Sequence, residues 1–226
     1  LLDAIRGRRV LVVGDALLDD YVLGVGMRIS REAPAPVVAV AEHRPVPGGA
    51  ANVAANAAAL GAQVDFVSVV GDDAEGRALR RSLRSLGVPT TGLVTQEGRA
   101  TPAKRRFLVD DQLVVRIDEG GPAPLGDLVR QQLRRRLERA LAGADVVVVS
   151  DYEHGLLDEE TIGFLVAHRP PVPVVVDARR PQRFRCLAPS VVTSSFDEVR
   201  PLLPGVPPPA DPAGGGDRTA TLAAHG

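Results

Sequence analysis

Short β-branched runs recur along the chain with amphipathic stretches between them. Val10–Val13, Val64–Val70, Val146–Val149, Val174–Val176 and Val191–Val192 predict strands, and their near-continuous apolar character suits a parallel sheet covered on both faces. Between them, the small-residue stretch Ala50–Leu60 predicts a helix. Glu75–Leu86 predicts a second, with Ala78, Leu79, Leu83 and Leu86 on one face, and Leu125–Leu141 a third, with Leu128, Leu133, Leu137 and Leu141. Strands alternating with helices are the pattern of βαβ units, so the predicted core is α/β.

Two segments depart from that rhythm. Residues 21–42 and 101–118 alternate apolar and polar positions at period two, as half-buried antiparallel strands do. Examples are Val37–Val40, then Phe107 and Leu108 followed by Leu113, Val115 and Ile117. They predict a small sheet standing off the main one as a lid over its strand ends. Beyond Arg200 the repeated prolines (Pro201, Pro204, Pro207, Pro208, Pro209, Pro212) interrupt helix and strand. Residues 1–200 are therefore expected to be the core with its lid, and 201–226 a Pro/Gly-rich linker and tail.

Composition narrows the classes of partner. The 226 residues carry a formal charge of −1, which gives no basic footprint for nucleic acid and no polybasic stretch for a membrane surface. No apolar run approaches the ~20 residues that span a bilayer. The one cysteine, Cys186, cannot make an internal disulfide, its surroundings lack an activating histidine, and Leu1–Val10 lacks the plan of a secretory signal. A cytoplasmic protein of small molecules is the expectation. Arginine outnumbers lysine 26 to one, which singles out Lys104.

Several polar groups fall where open α/β sheets bind ligands, at the carboxyl ends of strands. The first strand runs into Gly14-Asp15-Ala16-Leu17-Leu18-Asp19-Asp20, whose carboxylates could accept hydrogen bonds from vicinal sugar hydroxyls or only form an Asp-rich turn. Pro47-Gly48-Gly49-Ala50-Ala51-Asn52 opens a helix, where paired glycines admit close approach and free N–H groups suit an oxygen-rich ligand. Gly71-Asp72-Asp73-Ala74-Glu75-Gly76 is read as a helix cap. Lys104 and Arg106, two apart on a lid strand, could hold a phosphate or guard an edge. Ser150-Asp151-Tyr152-Glu153-His154-Gly155 and Asp177 follow further valine-rich strands. Asp211-Pro212-Ala213-Gly214-Gly215-Gly216-Asp217 could supply a nest of N–H groups and a base, or be a plain Gly-rich tail. His43, His154, His168 and His225 show no metal-ligand spacing.

In this order the motifs resemble those of the ribokinase/PfkB carbohydrate kinases, and within them the kinases of heptose 7-phosphate in ADP-heptose synthesis. The resemblance runs from about Leu1 to Glu198. Its carriers are Val12-Val13-Gly14-Asp15 with Asp19, the stretch Arg28-Ile29-Ser30-Arg31-Glu32-Ala33-Pro34-Ala35-Pro36-Val37-Val38, Pro47–Ala54, Gln112 with Arg116-Ile117-Asp118, and Ser150-Asp151-Tyr152 with Gly155. The Arg28–Val38 stretch is the specific pointer to the heptose branch.

The resemblance implies a ribokinase-like three-layer sandwich with a mostly parallel sheet and a β-sheet lid. It implies transfer of the γ-phosphoryl group of ATP, with Mg²⁺, to the anomeric hydroxyl of the sugar phosphate. Asp15, Asp19, Gly48, Gly49, Asn52, Gln112 and Asp151 would hold the sugar, and Lys104 and Arg106 its phosphate. Asp217 would be the base, with Gly214, Gly215 and Gly216 as the anion hole. Asp177, Ser195 and Glu198 would face the nucleotide, Glu198 reaching Mg²⁺ through water or phosphate. A homodimer through the lid is a further implication.

The family's Thr-Pro-Asn-x-x-Glu element reads Thr193-Ser194-Ser195-Phe196-Asp197-Glu198 here, and only Val199–Ala210 separates it from the glycine motif, where relatives have several dozen residues. A shortened C-terminal part and an incomplete ATP half are therefore expected. A catalytically impaired sugar-phosphate-binding or dimerising module, or a kinase for another sugar or a nucleoside, are the alternatives.

Overall fold

A computed structural model describes residues 2–195, 198 and 219–223. The strands of the main sheet are β1 (Arg9–Gly14), β4 (Gln63–Gly71), β5 (Leu93–Gln96), β8 (Val146–Asp151), β9 (Val174–Ala178), β10 (Val191–Ser195) and β11 (Thr219–Ala223). The lid holds β2 (Ala16–Ile29), β3 (Pro36–Gly49), β6 (Ala103–Val109) and β7 (Gln112–Glu119). The helices are α1 (Ala50–Ala59), α2 (Ala74–Ser85), α3 (Asp127–Leu141) and α4 (Glu159–His168).

The main sheet runs β11-β10-β9-β8-β1-β4-β5. All its pairings are parallel except that of β11 with β10. Alternate valines feed two cores. Val147, Val149, Val174 and Val176 join Val129, Leu133 and Leu137 of α3 and Ile162 and Leu165 of α4 on one face. Val10, Val12 and Phe66 join Ala50, Ala54 and Ala57 of α1 and Leu79 and Leu83 of α2 on the other.

The helix ends follow local chemistry. Asp73 caps α2 by accepting the Gly76 N–H at 2.7 Å, as read from the sequence, and Asp158 caps α4 through the Thr161 N–H at 2.8 Å. In α3 the buried stripe is Val129, Leu133, Leu137 and Ala140 with Leu141, so Leu128 faces solvent at 74% exposure. The helix begins at Asp127, and Leu128 stands five residues before Leu133, about 140° around the axis from it at 3.6 residues per turn, which turns it outward. Leu86, expected inside, lies past the end of α2 and is half exposed.

The lid is larger than the alternating segments indicated. β2 starts at Ala16, directly after β1, and β3 continues to Gly49. The lid is also mixed, in the order β3-β2-β6-β7, because β2 and β6 pair in parallel. Asp19 and Asp20 therefore sit on a lid strand and not in a turn. Buried Ser68 pins the junction between sheet and lid, donating to the Gly14 carbonyl at 2.6 Å and accepting the Ala16 N–H at 3.1 Å.

Candidate active site

The helices that follow β1 and β8 lie on opposite faces of the sheet, α1 on one and α4 on the other. The loops leaving β1 and β8 thus diverge, and the crevice between them is a topological switch point. Gly14 is forced here by packing: a Cβ on it would stand 1.9 Å from the Ser150 carbonyl oxygen.

Asp15, 3% exposed, turns inward. Its Oδ2 accepts the N–H groups of Tyr152 at 2.9 Å and His154 at 3.0 Å, and its Oδ1 that of Leu156 at 3.3 Å. Both oxygens are committed to shaping loop 152–156, so this geometry does not support the expected direct sugar contact. Buried Arg99 completes the brace by donating to the carbonyls of Ala123 at 2.8 Å and His154 at 2.7 Å.

Asp151, 2% exposed, accepts the Glu153 N–H at 2.9 Å and pairs with Arg183 at 2.8 Å. Burial, then the charge of Asp15, raises its pKa to about 6 against the pull of the Glu153 N–H and Arg183. Asp177 receives hydrogen bonds from Ser150 and Thr193, both at 3.3 Å, and burial raises its pKa. Glu198 accepts the Ser195 N–H at 2.8 Å.

On the lid, Asp19, Lys104 and Asp118 are register partners across β2, β6 and β7 and share one face. Lys104 reaches Asp118 at 3.1 Å, and Arg106 binds Asp19 and stacks over Tyr21. The opposite face turns to α2, where Arg105 ties Asp20 at 3.0 Å and Glu75 at 3.3 Å. Gly48 borders the Asp19 carboxylate, since a Cβ there would lie 2.4 Å from Oδ2. Gly49, at φ +56°, passes between Leu17, the Asp15 carbonyl and Tyr152.

Two cavities open at the carboxyl ends of the strands. One, of about 260 Å³ beneath the lid, is lined by Leu17, Lys104, Asp118, Glu153 and His154 among others. The second, of about 330 Å³, is lined by Asp151, Asp177, Ser195 and Glu198 among others. Tyr152 and Arg179 border both. Burial, then the charges of Asp177 and Asp19, pushes the Tyr152 hydroxyl up to about 12. The phenol therefore stays protonated between the lid and the sheet. Burial likewise keeps His154 below its usual value, so it is neutral near pH 7.

Lys104, Asp151, Asp177, Ser195 and Glu198 thus line the two adjoining cavities, while Asp19, Gly48, Gly49 and Arg106 lie beside them on the lid strands. Asn52 lines neither cavity; it is exposed in the first turn of α1 and accepts from Asn56 at 3.2 Å. Gln112 is apart from them, at the lid tip opposite Val109, about 17 Å along β6 from Lys104 at a strand's usual rise. Gly214–Asp217 lie outside the described residues. Tyr152, His154, Arg179 and Arg183 were not among the expected site residues. For Arg179 the available signal was its place just beyond a valine-rich strand.

Residues 8–164 match the pfkB family carbohydrate kinase. The chain belongs to this family. It is 43% identical over 183 residues to the bifunctional protein HldE of Gluconobacter oxydans, covering 80% of this chain and 38% of that one. To the D-beta-D-heptose 7-phosphate kinase of Bordetella bronchiseptica it is 42% identical over 201 residues, covering 88% of this chain and 62% of that one. The chain therefore spans less than two thirds of either relative.

Solved structures place the fold as ribokinase-like. The tetrameric inhibited form of phosphofructokinase-2 from Escherichia coli superposes at a TM-score of 0.62 with 20% identity, over 86% of this chain and 62% of that one. Arabidopsis thaliana ribokinase, complexed with ribose and ATP, gives 0.53 with 21% identity, over 76% and 53%.

Proposed function

We propose that this PfkB-family chain binds a sugar phosphate, most specifically heptose 7-phosphate, beneath its lid and directs a phosphoryl group from ATP to the sugar's anomeric hydroxyl. The observation that carries the reading is the common wall of Tyr152 and Arg179 between two cavities at the switch point. Group transfer needs two substrates held side by side, and adjoining cavities provide that. Asp19, with Gly48 giving its carboxylate room, would accept hydroxyl protons. Lys104, held by Asp118, and Arg106 would meet the sugar's own phosphate.

Asp177 and Glu198 fit Mg²⁺, which binds through one or two carboxylates together with substrate phosphates and waters. When bound, the ion neutralises charge on the nucleotide phosphates. Arg179, on the shared wall, is suited to the oxygens of the transferring group. In the transfer the sugar oxygen forms a bond to the γ-phosphorus while the bond to ADP breaks. The hydroxyl proton passes to a carboxylate, the role assigned to Asp217. A phosphotransfer assay with heptose 7-phosphate beside an Asp217→Asn variant tests the reading. Equal rates in the two proteins, or none in either, overturn it.

A binding module without turnover is the second reading, favoured by the short interval between Glu198 and the glycine motif. Calorimetry separates the two, since saturable MgATP binding removes the module. Self-association is proposed through the lid face opposite Lys104, where Leu113, Val115 and Ile117 are exposed. A chain sedimenting as a monomer at every concentration overturns that assignment.

A further inference from the structure

At the other end of the sheet, the first residues of β1 and β4, the segment before β5 and the last turns of α3 enclose a cavity of about 340 Å³. Arg9, Arg136 and Arg139 line it against one carboxylate, Asp65. That carboxylate is already engaged, with Arg9 at 3.4 Å. Two earlier arginines of α3 are compensated: Arg130 pairs with Asp158 and Glu160, and Arg134 with Glu160. Arg136 is not. Its Nη1 is closed off from solvent and has no protein partner among the described residues.

Positive charge continues past the cavity wall. Arg80 of α2 is held below its ordinary pKa by burial first and then by the neighbouring guanidiniums of Arg84 and Arg136. Like charges gathered this closely repel one another, most strongly at the closed-off Arg136 Nη1, and the fold keeps them together without a matching set of carboxylates. A multivalent oxyanion relieves that repulsion. Guanidinium forks match phosphate oxygens in pairs, and Arg136 and Arg139 are one turn apart on the same helix.

We propose that this cavity is an anion site that takes the phosphate group of a small molecule, with Arg136 and Arg139 as its principal ligands and Thr91 at its wall. It is separate from the cleft under the lid. The six residues of β1 put about 20 Å between the two ends of the sheet at the usual strand rise, so a ligand there is an effector and not a reactant.

The test titrates inorganic phosphate into the whole chain carrying Lys104→Ala and Arg106→Ala, so that the lid cations cannot answer, and follows the thermal unfolding midpoint. Sodium chloride at matched ionic strength controls for screening. A saturable rise is expected, with apparent affinity about tenfold weaker or more after Arg136→Gln or Arg139→Gln. It should be unchanged after Arg135→Gln, an exposed position on the same helix. No saturable response, an equal response to chloride, or full affinity in the Arg136→Gln protein overturns the site. If Arg136→Gln fails to fold, Arg136→Lys takes its place: weakened binding supports the proposal, and unchanged binding overturns it.

Discussion

Asp15, at the end of β1, holds the backbone N–H of Tyr152 across the switch point at 2.9 Å, and through it one wall of both cavities. His154 and Leu156 donate to the same carboxylate. Hydrogen bonds to a charged group contribute about 1.5–3 kcal/mol each, and a buried donor left unpaired costs a similar amount. Asp15→Ala is therefore expected to lower unfolding free energy by roughly 3 kcal/mol or more in urea titrations. A variant within about 0.5 kcal/mol of the parent, the range of an ordinary surface change, contradicts the bracing role.

Lys104 carries a different kind of prediction. It lies on the lid face with Asp19 and Asp118 and lines the cavity beneath. If it meets a substrate phosphate, Lys104→Met should weaken heptose 7-phosphate binding about tenfold to a hundredfold, the equivalent of one charge-assisted hydrogen bond. Unphosphorylated heptose should bind nearly as before. Calorimetric titration of both sugars decides it, and an equal loss for the two would assign Lys104 to folding or to a hydroxyl.

The neighbouring glycines should separate stability from binding. A Cβ at Gly49 would lie 2.3 Å from Leu17 Cδ1 and 2.7 Å from the Asp15 carbonyl, on a backbone at φ +56°. Gly49→Ala is expected to destabilise the fold by about 2 kcal/mol or more. At Gly48 the nearest atom is the Asp19 carboxylate, which can swing aside. Gly48→Ala should thus fold nearly as well as the parent, yet lose sugar affinity. Thermal melts paired with ligand titration check both halves, and the reverse order of effects contradicts the assignment.

What was legible in the sequence follows from how local each signal is. Val10–Val13 and Val146–Val149 are strands in almost any context, because a β-branched run buried on both faces has few alternatives. The start of β2 was hidden by Asp19 and Asp20, whose type suggests a turn. Their place in a strand is set by pairing with Lys104 and Arg105, distant in sequence. The same distance concealed the role of Asp15, since its three donors come from more than 130 residues away. Arg183 was likewise invisible as the partner of Asp151. The motif order located the cleft, but which carboxylate faces a ligand and which faces the protein is decided by tertiary hydrogen bonds.

Asp151 gives the chain a pH signature of definite sign. Its pKa is raised from 3.8 to about 6 in the folded state, chiefly by burial and then by Asp15. Between these values the folded protein holds a proton that the unfolded chain has released. Stability from this group is therefore present at the acid end and is lost as pH rises toward 6 and beyond. Asp177, also raised, acts in the same direction. His154, lowered by burial, opposes them: its contribution grows as pH rises through the usual histidine range.

Comparison with Asp151→Asn isolates the carboxyl, because His154 and Asp177 remain in both proteins. Urea unfolding from about pH 4 to 7 should show the parent losing stability relative to the asparagine variant as pH rises. The difference should level off above the folded-state value. A difference that stays flat across this range, or grows in the parent's favour, would mean that Asp151 is charged in the fold and that Arg183 outweighs its burial.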